Sequence, residues 1–148
     1  GKISADKLHK KFTDTDDEII KRINMPIADY FAKHGEESFR RIESEVIKEI
    51  SACQSSVIAT GGGAVLNPDN IRLLKENGTV VFIDRPLEKL VTTADRPLSS
   101  SRELLEKRYK ERYGLYCAAA DIKIDAEDEI GQNVKNIEEV FLNENTCN

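Results

Sequence analysis

Apolar positions along the chain fall into two kinds of run. Short runs at residues 12–13, 57–59, 80–83 and 122–124 are rich in β-branched or aromatic residues, each ends near a Gly, Asp or Thr, and they read as strands. Longer segments between them repeat at offsets of three, four and seven. The clearest sets Phe39, Ile42, Val46, Ile47, Ile50 and Cys53 on one helical stripe. Pro68 and Pro86 suit first-turn helix positions, with Asn67 and Arg85 ahead of them. Residues 134–148 read as a terminal helix and a polar tail. Alternation of strand and helix predicts an α/β fold: a parallel sheet with right-handed crossovers and helices on both faces. There is no internal repeat, low-complexity linker or second pattern, so residues 1–148 are expected to form a single domain.

Composition narrows the function classes. A chain of 148 residues buries about two-thirds of its unfolded surface when folded. Hydrophobic residues at 39% and charged ones at 33% suit a globular protein. No apolar run approaches the roughly 18 residues of a membrane span, and the N-terminus lacks a signal-peptide core. Twenty-two basic against 27 acidic residues give a net charge of -5, which argues against general nucleic-acid binding. Cys53, Cys117 and Cys147 are odd in number and widely spaced. They suggest neither a disulfide framework nor a zinc site, and fit reduced thiols in the cytoplasm.

The stretch VIATGGGAV, residues 57–65, runs from a strand into Gly61, Gly62 and Gly63. It is not the phosphate loop GxxxxGK[ST], because no lysine follows until Lys75, and it lacks the third glycine of GxGxxG. Two readings stand: a tight turn needing positive φ, or close backbone approach to a ligand met by N–H groups alone. Three glycines in a row favour the second.

Other segments carry possible chemistry. In DTDDEI, residues 14–19, Asp14 and Asp16 would face one way on an extended chain, while Asp17 and Glu18 would open a helix. One such acid can sit near a metal while the other accepts a hydroxyl proton, as kinases require; the alternative is an acidic helix start capped by Asp16. In GEESFRRIESEV, residues 35–46, Arg40 and Glu43 share a helix face, either as an ion pair or with Arg40 offering its fork to a carboxylate. ADRPL places Arg96 in a Thr- and Ser-rich loop, and Arg108 and Arg112 share a face of the next helix. Arginines so placed suit an anionic substrate or a transferring phosphoryl group, although for Arg108 a solvated basic face is the simpler reading.

Taken in order, DTD, GExxFRxxE at 35–43, TGGGAV at 60–65, DRPL at 95–98 and RxxLY at 112–116 resemble the shikimate kinase family over roughly residues 1–126. The resemblance implies a three-layer P-loop kinase fold. It also implies transfer of the ATP γ-phosphoryl group to the 3-hydroxyl of shikimate, on the route to chorismate and the aromatic amino acids, by a monomer that uses ATP and Mg2+. By matching positions, Asp16 would bind and help deprotonate the hydroxyl, with Asp14 directed toward magnesium through water. Arg40 and Arg112 would clamp the shikimate carboxylate, Glu43 would hold Arg40, the backbone of Gly61, Gly62 and Gly63 would line the substrate, and Arg96 would close over the phosphates.

Departures accompany the match. The family's phosphate loop and first strand precede DTD, and neither is among these residues. Gly1-Lys2 is not the end of such a loop: only 11 residues separate Lys2 from Asp14, and Ile3 stands where Ser or Thr belongs. Gly1 and Lys2 align instead with the helix after it. The TTADRPL lid is short, Gly114 replaces the proline of RxPLY, and DAEDE at 125–129 puts acids where an arginine is expected. In the family's strand order, 2-3-1-4-5, the first strand is central. Without it the strands at 57–59 and 80–83 are expected to stand about 10 Å apart with unpaired backbone, or to collapse together and pair. The 148 residues are expected to bind shikimate weakly without turning over ATP; the alternative is a noncatalytic acid-binding or scaffold module.

Overall fold

The computed structural model describes residues 1–90 and 102–145, with side chains through residue 142. Arg96 and the rest of DRPL, and the end of the polar tail with Cys147, lie outside the described residues. The elements are α1 (Lys2–Lys7), β1 (Lys11–Asp14), α2 (Thr15–Ile23), α3 (Ile27–Ser51), β2 (Ser56–Ala59), α4 (Pro68–Glu76), β3 (Val81–Asp84), α5 (Arg102–Ala119), β4 (Ile122–Asp125) and α6 (Ile130–Asn145). Lys2 thus lies in a helix rather than a phosphate-binding turn.

The strands form two parallel pairs rather than one continuous sheet. β1 pairs with β2, Asp14 opposite Ala59, and β3 pairs with β4, Asp84 opposite Asp125. β2 and β3 do not pair with each other, so the two sheets remain separate. This decides between the two outcomes the sequence left open: the strands do not collapse together. Every residue of β2 is only half-buried, as befits a strand paired along one edge.

The apolar core lies mainly between α2 and α3. Ile19, Phe39 and Val46 are buried there, and Ile23, Ile27, Tyr30, Phe31, Ile42 and Ile50 pack around them. Phe39, Ile42, Val46 and Ile50 of the stripe read from the sequence form this face, Ile47 is also buried, and Cys53 departs from it. α3 ends at Ser51, so Cys53 falls beyond the helix and is exposed. α3 also begins earlier than the GEESF motif and is broken at Gly35, whose φ of 78° and ψ of 173° are not helical. That region is essentially confined to glycine. Asn67 caps α4, its side chain accepting from the Asp69 amide at 3.0 Å, with Pro68 in the first turn. Pro86 precedes only a single 3-10 turn, Leu87–Lys89.

α5 is anchored to the second sheet. Tyr113 donates to Asp84 Oδ2 at 2.8 Å, and Lys123 lies 2.8 Å from the same oxygen. Phe82 of β3 stacks against Tyr116, ring centroids 5.3 Å apart. These contacts fix the helix that carries Arg112.

Candidate functional site

The site begins where β1 turns into α2. β1 ends at Asp14, whose Oδ1 accepts the Asp16 amide at 2.9 Å, so Asp14 rather than Asp16 is the helix cap. Asp16 stands in the first turn of α2 and is not on extended chain, so the two acids do not face one way by strand alternation. Because β1 and β2 run parallel and in step, the turn after β2 lies beside this helix start. There the Gly61 amide donates to the buried Thr15 hydroxyl at 3.2 Å.

The three glycines are explained by what crowds them. A Cβ on Gly61 would lie 3.3 Å from Asp16 Oδ1 and 3.5 Å from Glu43 Oε1. On Gly62 it would lie 2.9 Å from the Tyr116 hydroxyl, and on Gly63 it would collide with the Arg40 guanidinium. None of the three has positive φ; Gly35 is the glycine that does among the described residues. The turn is therefore bare because side chains pack onto it, not because its backbone is left-handed. Its polar groups are partly engaged already, since the Gly62 carbonyl accepts from Tyr116 at 2.7 Å and from Arg112 at 3.3 Å.

The cationic side of the site comes from α3 and α5. Beyond the break at Gly35, Arg40 pairs with Glu43 at 2.6 Å and with Glu36 at 3.1 Å. Glu43 is 2% exposed. Burial pushes its carboxyl above the usual range; the Arg40 bond and charge oppose this, nearby Asp16 adds to it, and Arg112 opposes it. Asp16 and Glu43 lie against Gly61, Arg40 against Gly63 and Arg112 against the Gly62 carbonyl, so these charged groups share one patch around the glycine turn. Arg108 joins them. It is half-buried rather than on a solvated face, and burial followed by the repulsion of Arg112 lowers its pKa, with Arg40 adding to the effect and Glu36 opposing it.

Four residues of this patch escaped the sequence reading as participants: Thr15, Glu36, Arg108 and Tyr116. Helical spacing offers a signal for three of them, since Glu36 stands four before Arg40, and Arg108 and Tyr116 flank Arg112 by four. Thr15 gave none, because its role depends on the pairing of β1 with β2.

The family model for shikimate kinase matches residues 1–141. The chain belongs to the shikimate kinase family. The shikimate kinase of Clostridium beijerinckii is 40% identical over 146 residues, covering 96% of this chain and 86% of that protein. That of Caldicellulosiruptor bescii is 46% identical over 91 residues, or 62% of this chain, and the matched part spans about half, 53%, of that protein. A solved shikimate kinase from Acinetobacter baumannii, in complex with shikimate, superposes with a TM-score of 0.91 at 30% identity, covering 97% of this chain and 85% of that one. Family membership accounts for the α/β architecture, with parallel strands and helices on both faces.

Proposed function

We propose that the chain binds shikimate against the glycine turn, as the acceptor for phosphoryl transfer from ATP to the 3-hydroxyl. The observation that carries this is the convergence of Asp16, Arg40 and Arg112 on Gly61–Gly63 around buried Glu43. A small cyclic acid with ring hydroxyls matches such a patch. Its carboxylate meets two guanidinium groups, each able to offer a planar pair of donors. Glu43 holds Nη1 of Arg40, and the exposed Glu36 carboxylate sits on Nε and Nη2, the edge where the ligand carboxylate would replace it. The substrate hydroxyl faces Asp16, which takes the proton as the hydroxyl oxygen bonds to the γ-phosphorus and ADP departs with the electrons of the broken bond.

Magnesium fits this corner. It is held through one or two carboxylates, with water and phosphate oxygens completing its shell. Asp14 would contribute its carboxylate through water while one of its oxygens caps α2. When bound, the ion neutralises charge developing on the phosphates. The residues that cradle the donor's phosphates elsewhere in the family have no counterpart here, since the 148 residues contain no GxxxxGK[ST]. Arg96, outside the described residues, is assigned by its motif to closing over the phosphates. Reach of the family model across residues 1–141 supports reading the chain as one domain. Free, exposed Cys53 and Cys117 support a reducing, cytoplasmic setting, and we assign the chain as a monomer.

Calorimetric titration with shikimate tests the binding assignment. Weak binding is expected, with Arg40→Ala and Arg112→Ala each lowering affinity about tenfold or more; unchanged affinity in both removes the carboxylate clamp. A coupled assay on the 148 residues alone is expected to give no shikimate-dependent ADP release. Robust release would show that other residues do the work of the lysine and hydroxyl.

A further inference from the structure

We infer that Tyr116 is a positioning residue that sets the glycine turn and Arg112 against each other for the bound acid. The inference rests on the shikimate-binding reading above and adds a residue to it. Tyr116 is half-buried on α5, one helical turn beyond Arg112. Its ring stacks on Phe82 of β3, in one sheet, and its hydroxyl donates at 2.7 Å to the carbonyl of Gly62, which follows a strand of the other sheet. The side chain therefore spans two sheets that share no strand pairing. Arg112 Nη1 donates to the same carbonyl at 3.3 Å. A carbonyl oxygen has two lone pairs and here both are taken, one holding the turn to α5 and the other fixing where the guanidinium sits. Arg112 keeps further N–H groups for a ligand carboxylate.

The second observation is steric. A Cβ added to Gly62 would lie 2.9 Å from the Tyr116 hydroxyl oxygen, while the next nearest atom, Cζ, is 3.9 Å away. Of the atoms near position 62, the hydroxyl is the one that crowds a Cβ there, so a side chain at this position would displace either the tyrosine or the turn. Tyrosine reaches over a bare backbone unit that it also hydrogen-bonds, and the pair works as one fitting.

Shikimate titration by calorimetry, with thermal melting of each protein, tests this on the full chain, Tyr116→Phe, Gly62→Ala and the double variant. Tyr116→Phe keeps the stack on Phe82 and is expected to weaken shikimate binding about fivefold, the loss of one hydrogen bond. Gly62→Ala is expected to weaken it about tenfold or more by pushing the turn off α5. Adding Tyr116→Phe to Gly62→Ala removes the crowding oxygen and is expected to restore at least part of that loss. A tyrosine that only stacks on Phe82 would move neither the single variant nor the rescue. If the full chain binds and loses binding in Arg112→Ala, but Tyr116→Phe binds like the parent or the double variant shows no rescue, the inference is wrong and the binding reading survives. If the full chain does not bind shikimate at all, both fall.

Discussion

Glu43 is the residue on which the site's electrostatics turn. It is 2% exposed, and its carboxyl is held above the usual 4.5 because burial outweighs the Arg40 bond. The folded protein therefore holds this proton at pH values where the unfolded chain has lost it. Stability from this group is fully present below the ordinary glutamate value and is lost as pH rises through the folded value. Melting temperature measured across that window should decline with pH, and Glu43→Gln should flatten the decline; an unchanged slope would assign the effect elsewhere. The Arg40–Glu43 spacing was legible because i,i+3 pairs share a helix face. Burial was not, since in sequence the glutamate stands beside the apolar stripe rather than in it, and only packing of α3 beneath the glycine turn closes it off.

At the scale of elements, the break in α3 aims Arg40. Gly35 turns the chain with φ at 78° and ψ at 173°, and Glu36 and Glu37 follow at the new helix start, where acids favour the helix dipole. Gly35→Ala should cost about 1–3 kcal/mol of stability, since no Cβ-bearing residue adopts that conformation freely. Chemical denaturation measures the loss, and an unaffected midpoint would show that the chain re-routes around the break. The helical stripe was readable from its period because Phe39, Val46 and Ile47 are all buried. The break was not, because a glycine within a helical pattern gives no sign of which φ it takes. DTDDEI misled for a related reason: strand alternation was extended past Asp14, whereas the side chain of Asp14 starts α2 at the next residue.

For the whole molecule, the question is how two separate strand pairs hold one site. α5 does much of this. Tyr113 and Lys123 tie it to Asp84 at the end of β3, while Arg112 and Tyr116 reach the turn after β2. Lys123 is held in its charged form well above its usual range, mainly by Asp84 and Tyr113. Asp84→Asn should lower the melting temperature, since a nearly buried acceptor of two donors loses its charge, and should weaken shikimate binding as α5 loosens. Melting and titration of the same variant check both, and intact stability with intact binding would remove α5 as the link. The order of the motifs, and with it the family, could be read along the chain. Strand pairing could not, because β1 meets β2 across more than forty residues and nothing local records that neighbour.

A crystal structure of the chain soaked with shikimate tests the central claim most directly. The account predicts the ligand carboxylate within about 3 Å of the Arg40 and Arg112 guanidinium groups, its ring over Gly61–Gly63 and a ring hydroxyl facing Asp16. Shikimate bound elsewhere, or with its carboxylate turned away from both arginines, would contradict it.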